Sequence, residues 1–289
     1  MCIIVAKNKL TKLPKETYLQ NCFDNNPDGA GFMYTKNGKV IIDKGYMTFR
    51  SFIKRYHKLC KRFNNFENKA LIMHFRIGTA GANSPQNTHP YPVTDNKKLL
   101  HKTYVKTNLG VVHNGIISQY NPEKHIKDVN DTQNFIMKYL YPLYSNYRTF
   151  YKNEFIMDGI SDITNSRLVF LDTNDTLSFV GEFEKDENGV LYSNSTYKND
   201  WYSSYYNNKY YYGDYVKDEE DRPNYETELQ LEPNWYISVE GKEFEKVGDR
   251  QIIYDYYSGF LYEIDDVGDT IELGWDADIF DENGEEIIL

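Results

Sequence analysis

The apolar residues of this chain come in short runs, and most of these runs end on a turn signal. Cys2–Ala6, Phe32–Tyr34, Lys39–Asp43, Ala70–Phe75 and Arg167–Asp172 are too short for buried helices and read as strands. Tyr104–His113 reads as one further strand that ends on Asn114-Gly115. Lys36-Asn37-Gly38 predicts a hairpin between Phe32–Tyr34 and Lys39–Asp43, because Asn-Gly accepts the positive φ angles of a tight turn. Asn174-Asp175 predicts a second hairpin, between Arg167–Asp172 and Thr176–Gly181. One helix has a clear period: Phe49, Phe52, Ile53, Tyr56, Leu59, Cys60 and Phe63 share a face, with Lys and Arg opposite. Asn130-Asp131-Thr132 reads as another helix start, with Asn or Asp as the cap. Strands outnumber helices, and the helices fall in blocks between strand pairs. The expectation is α+β layers and not a doubly wound sheet.

Charge divides the chain. The net charge of −10 over 289 residues splits into −18 for 217–289 (23 acidic, 5 basic) and +8 for the rest (20 acidic, 28 basic). The tyrosine-rich stretch 199–215 has no helical or alternating period and reads as a linker or long loop. The expected division is 2–197 as one domain, 198–216 as a linker, and 217–289 as a small acidic module, β-rich or partly disordered. Trp235–Val239, Gln251–Tyr257 and Phe260–Ile264 are its strand-like runs, and Trp275 adds apolar surface.

Several classes are set aside. No run approaches the ~18 apolar residues of a membrane span. The opening Met1–Ala6 reaches Lys7 too soon for a signal-peptide core, so a cytoplasmic protein is expected. Cys2, Cys22 and Cys60 are odd in number and lack C-x-x-C spacing, which argues against a disulfide framework or a cysteine zinc site. His74, His89 and His113 lack H-x-x-x-H or H-x-H pairing, so they read as structural and no metal or other cofactor is expected. The net negative charge argues against direct nucleic-acid binding.

The chemistry-bearing candidates lie in the first domain. Removal of Met1 before a small residue would make Cys2 the N-terminus, with thiol and α-amine on one residue. An α-amine has an ordinary pKa near ~7.7 and can take the thiol proton, so such a cysteine carries its own base. Cys2 can equally be a small buried residue opening a strand. Arg76, at the end of a strand in His74-Phe75-Arg76-Ile77-Gly78-Thr79-Ala80-Gly81, offers a donor fork suited to a carboxylate, with the Thr79 hydroxyl nearby. It also fits an ordinary surface arginine. In Val111-Val112-His113-Asn114-Gly115, the Asn114 amide and the Gly115 N–H can converge as oxyanion donors, or simply make a turn. Asp131 offers a carboxylate for an amine, or a helix cap.

Met1-Cys2, Asp28-Gly29-Ala30-Gly31, His74-x-Arg76-x-x-Thr79-x-Gly81, Asn87-x-His89-Pro90, His113-Asn114-Gly115 and Asp131-Thr132 occur in one order. Together they resemble the class II glutamine amidotransferase domain, a family of N-terminal nucleophile hydrolases, over about residues 2–197. The likeness extends to its stand-alone bacteriophage and bacterial forms, which for a phage protein implies the host cytoplasm. The resemblance implies a four-layer αββα sandwich. It assigns Cys2 as nucleophile with its α-amine as base, Asn114 and Gly115 as the oxyanion hole, Arg76 and Thr79 as the α-carboxylate clamp, and Asp131 as the α-amine partner. Glutamine is the implied substrate and ammonia the product, passed to an acceptor on another protein such as a synthase. Ala80 and Gly78 stand where many members have His and Ala, so the pocket wall is expected to differ. Two other readings stay open: a different amide hydrolase on the same scaffold, and a non-enzymatic binding protein.

Overall fold

The computed structural model describes residues 2–78, 83–122, 129–198, 228–239, 243–255, 260–264, 270–274, 277–283 and 286–287. It is a mixed α+β protein built on antiparallel sheets. The first part runs β1 (Ile3–Lys7), α1 (Glu16–Asp24), β2 (Ala30–Lys36), β3 (Lys39–Tyr46), α2 (Phe49–Arg62), β4 (Leu71–Phe75), β5 (Tyr91–Pro92), α3 (Lys97–His101), β6 (Tyr104–Thr107) and β7 (Leu109–Asn114). It continues with α4 (Asp131–Phe135), a π-helical turn Ile136–Leu140, α5 (Tyr141–Asn146), α6 (Glu154–Thr164), β8 (Arg167–Asp172), β9 (Leu177–Val180), β10 (Glu184–Lys185) and β11 (Leu191–Tyr192).

Two sheets result, ordered β10-β11-β1-β4-β2-β3-β6 and β5-β7-β8-β9. Side chains alternate across each strand. Ile4 and Ala6 of β1 join Met33, Ile42 and Ile72 of the large sheet and Val112, Val169 and Leu171 of the small one in a single core. Ile3 and Val5 face the other way, onto Leu19, Cys22, Phe52 and Leu59 of α1 and α2. Val111, Leu168 and Phe170 pack on Phe135, Leu140 and Ile160 from the helical segments after residue 130.

The Asn37-Gly38 turn joins β2 to β3 with both residues at positive φ, as the hairpin reading requires. Helix α2 follows the predicted period and is capped by Thr48, whose Oγ1 accepts from the Ser51 N–H at 3.2 Å. Arg55 of α2 donates to Asp43 of β3 at 2.9 Å, and Tyr46 donates to the same carboxylate at 2.6 Å.

Two expectations are corrected. Tyr104–His113 is not one strand: it breaks at Asn108 into β6 and β7, which belong to different sheets. Asn114-Gly115 is not a hairpin turn. β7 pairs with β5 and with β8 on its two sides, and neither pairing is closed through Asn114-Gly115.

The acidic region carries its own strands: β12 (Glu228–Gln230), β13 (Tyr236–Val239), β14 (Glu245–Lys246), β15 (Gln251–Asp255), β16 (Phe260–Ile264), β17 (Thr270–Gly274), β18 (Ala277–Phe280) and β19 (Glu286–Ile287). They form two four-stranded sheets, β12-β15-β16-β17 and β14-β13-β18-β19. Leu231, Ile237, Val247, Ile252, Leu261 and Ile279 make a fourth core, which Met47 joins from the turn before α2. The predicted linker, apart from Lys198, and Trp275 lie outside the described residues. Among the described residues, no helix is long and apolar enough to cross a membrane.

Candidate functional site

Cys2 reaches the site because β1 pairs with β4, with Ile3 opposite Phe75 and Ile4 opposite His74. That register sets Cys2 beside the residues that follow β4. Its Sγ lies 3.3 Å from the Ile77 N–H and 3.4 Å from the Ile77 carbonyl. Its own carbonyl accepts from Asn194 Nδ2 at 2.9 Å. Burial pushes the thiol above its ordinary pKa, while the Ile77 N–H and the Arg76 charge oppose that shift. At rest the sulfur is therefore a thiol and needs a base to become a nucleophile.

Arg76 is held by the Asp28-Gly29 turn. Its N–H donates to the Gly29 carbonyl at 2.8 Å, and its carbonyl accepts from the Asp28 N–H at 2.9 Å. The Asp28 carboxylate accepts from Gly78 N–H at 2.6 Å and from Asn83 Nδ2 at 2.9 Å. Asn83 Oδ1 in turn accepts from the buried Arg76 guanidinium at 3.2 Å. Asp28 is thus the latch of the arginine segment, a role the sequence motif contained but did not reveal. Thr79, Ala80 and Gly81 lie outside the described residues.

The end of β7 brings Asn114 and Gly115. Asn114 Nδ2 is 2.8 Å from Ser193 Oγ, which also accepts from the Ile4 N–H at 2.8 Å. Asn114 Oδ1 is buried with no partner. With the amide turned over, the Ser193 hydroxyl would donate to Oδ1 and Nδ2 would face the unpartnered direction as a donor. Gly115 has φ +150°, and a Cβ there would lie 2.2 Å from Ser166 Oγ. Only glycine fits this conformation and this space.

Asp131 is the first residue of α4; the cap is Asn130, in a capping box with Gln133. The Asp131 carboxylate accepts from the Ile117 N–H at 2.7 Å and the Thr132 N–H at 2.8 Å. Oδ1 also faces the Thr132 hydroxyl at 3.5 Å, and Oδ2 keeps a lone pair for a further donor.

Cys2, Arg76, Gly115 and Asp131 line one cavity, together with His89 and His113. Its volume is about 20 Å³, room for one water-sized molecule. Of the six residues the sequence singled out, four line this cavity and Asn114 is buried beside Gly115. Asn130 also lines the cavity, while Asp28, Ser193 and Asn194 support the site from behind, and sequence reasoning gave these three no role. Asn130 had a signal as a cap candidate, and Asp28 lay in the Asp28-Gly29-Ala30-Gly31 motif. Among the described residues, no group of His, Cys, Asp and Glu is arranged to hold a metal ion. No protein-family model and no curated protein matches the chain.

Proposed function

We propose that this chain is a glutamine amidotransferase of the class II type, an N-terminal nucleophile hydrolase that releases ammonia from the glutamine side chain. The observation that carries the reading is the meeting of Cys2, Arg76, Gly115 and Asp131 around one cavity. Free glutamine has a carboxamide, an α-carboxylate and an α-ammonium. A thiol, a guanidinium and a carboxylate are the three matching partners. The three apolar cores of residues 2–198 are read, on this proposal, as the interfaces between the four layers of an αββα sandwich. Residues 217–289 are read as a separate acidic module, and the ammonia acceptor as part of another protein.

The chemistry balances with the chain's own groups once Met1 is removed. The α-amine of Cys2 takes the thiol proton, and Sγ forms a bond to the glutamine Cδ. The carbonyl oxygen becomes an oxyanion facing the Gly115 N–H and the Asn114 amide, donors held in place before the charge develops. The C–N bond breaks as nitrogen takes the proton from the α-ammonium, and ammonia leaves. Water then attacks the thioester, the C–S bond breaks, and the sulfur recovers its proton. The cavity must widen to admit glutamine. Arg76 exchanges the Asn83 oxygen for the substrate carboxylate.

The test is ammonia release from glutamine by two forms of the protein, one with Cys2 exposed by processing and one with an uncleaved N-terminal extension. Intact mass establishes the terminus. Activity is expected only in the first, and Cys2→Ala should abolish it. Equal activity in the extended form would sink the mechanism.

One observation favours the second reading, a non-enzymatic protein on this scaffold. The cavity is small, and Arg76 and Asp131 are both engaged by neighbouring groups. A correctly processed protein that binds glutamine without hydrolysing it would decide for that reading.

A further inference from the structure

Three histidines meet behind the nucleophile, and the glutamine reading gives none of them a task. The His74 and His89 rings lie 4.4 Å apart and the His89 and His113 rings 6.4 Å apart, centroid to centroid. All three side chains are buried. Burial holds them neutral: His74 is pushed down to about 3, His113 to about 4, and His89 well below its ordinary value.

Their hydrogen bonds fix what remains over. His74 Nε2 lies 3.1 Å from the His113 carbonyl, which can only accept, so Nε2 carries the proton and Nδ1 is a bare acceptor. His113 Nδ1 lies 2.8 Å from Thr132 Oγ1. Thr132 Oγ1 also stands 3.5 Å from the Asp131 carboxylate. Whichever of His113 Nδ1 and Thr132 Oγ1 donates in their shared bond, His113 Nε2 is left over. His74 Nδ1, His113 Nε2 and both His89 nitrogens are buried without a partner. A buried polar atom left without a partner is destabilising, and sites of this kind are normally satisfied by an ordered small molecule. His89 and His113 line the same cavity as Cys2, and about 20 Å³ admits one such molecule.

We propose that His89 and His113, backed by His74, form a binding site for one small neutral hydrogen-bonding molecule beside Cys2. Water and ammonia share that chemistry: each donates to bare imidazole nitrogens and accepts from the His89 N–H. The inference rests on the glutamine reading for its use, which is to hold the water that cleaves the thioester or the ammonia that leaves. Neutral imidazoles suit this task, because they accept hydrogen bonds without protonating the ammonia.

The test uses the processed full-length protein and the variants His89→Leu and His89→Gln. Quenched reactions with glutamine are followed by intact mass and by ammonia release. In His89→Leu the γ-glutamyl thioester at Cys2 should accumulate, with one burst of ammonia and then turnover at least tenfold slower. His89→Gln, which restores polar atoms, should recover most of the lost turnover. If His89→Leu folds and slows burst and turnover equally, or slows neither, the proposal is overturned. The site has a second readout that needs no activity: crystallographic density within hydrogen-bond distance of His113 Nε2. Imidazole ¹⁵N shifts on adding ammonium chloride, against potassium chloride, at a pH where ammonia is largely neutral separate the sources. A shift specific to ammonium assigns ammonia, and density without a shift assigns water. The absence of both density and shift overturns the site. A wild-type protein that fails to hydrolyse glutamine sinks the glutamine reading, and the site then stands or falls on density and shifts alone.

Discussion

Arg76 is buried, yet it lines the cavity in a segment latched by Asp28. A charge-assisted contact to a carboxylate is worth about 1.5–3 kcal/mol, so Arg76→Ala should weaken productive glutamine binding roughly 10- to 150-fold. The loss should fall mainly on KM if the clamp holds ground and transition states equally. Equal rates on glutamine and on simple carboxamides without the α-groups would contradict the role. The buried histidines give a second expectation. Burial pushes His74 and His113 down to about 3 and about 4 when folded, against about 6.5 when unfolded. The unfolded chain therefore binds more protons between these values, and stability rises with pH there. Their contribution is complete above about pH 6.5 and is lost as pH falls toward the folded values. Urea unfolding at about pH 7.5 and about pH 5 should differ by on the order of 4 kcal/mol from these two groups. A flat profile over that range would mean that the imidazoles are not held neutral.

Helix α4 shows how an element positions a site. Asn130 Oδ1 accepts from the Gln133 N–H at 2.9 Å, Gln133 Oε1 accepts from the Asn130 N–H at 2.8 Å, and Asn130 Nδ2 donates to Tyr91 at 2.8 Å. Loss of an N-cap costs about 0.5–2 kcal/mol. Asn130→Ala should lower stability by that amount and raise KM, because Asp131 is the next residue. Asn130→Asp, which keeps the cap acceptor, should retain most of the stability; an equal loss in both would show that the Tyr91 bond dominates. Elements of this sort were legible where a local signal sets the geometry. Asn37-Gly38 and the Phe49–Phe63 period needed no tertiary information. Glu16–Asp24 was not foreseen as α1: its Lys15 cap makes no side-chain bond, and its buried face is only Leu19, Cys22 and Phe23. The two-residue strands β5, β10 and β11 carry no period at all; they exist because neighbouring strands offer them a ladder. Asn108, which divides β6 from β7, marks a change of sheet, and hydrophobic alternation continues across it. Within the site, the motifs pointed to the cavity-lining residues. The latch at Asp28 and the shared hydroxyl of Ser193 arise from contacts between segments 50 and 79 residues apart, which no local pattern encodes.

At the scale of the molecule, the three cores around the two large sheets draw only on residues up to Tyr197. The fourth core draws on residues from Leu229 onward, with Met47 from the first part. Every residue that lines the candidate cavity precedes the acidic region. A truncation ending near Asn199 should therefore stay folded and hydrolyse glutamine. It would uncover Met47, and the burial of one such side chain is worth about 1.5–3 kcal/mol. The loss of stability should not exceed that figure. The charge balance adds a salt effect. The last 73 residues carry −18 and the rest +8, so contact between them weakens as salt shortens the range of their attraction. If the acidic region folds back over the approach to Cys2, the full-length protein should gain activity with salt, while the truncated form should not respond. If it serves a partner that holds the ammonia acceptor, co-purification should be lost on truncation and glutaminase activity kept. Unfolding of residues 2–197 on truncation would show that the acidic strands complete the same core, and the division into two parts would fail.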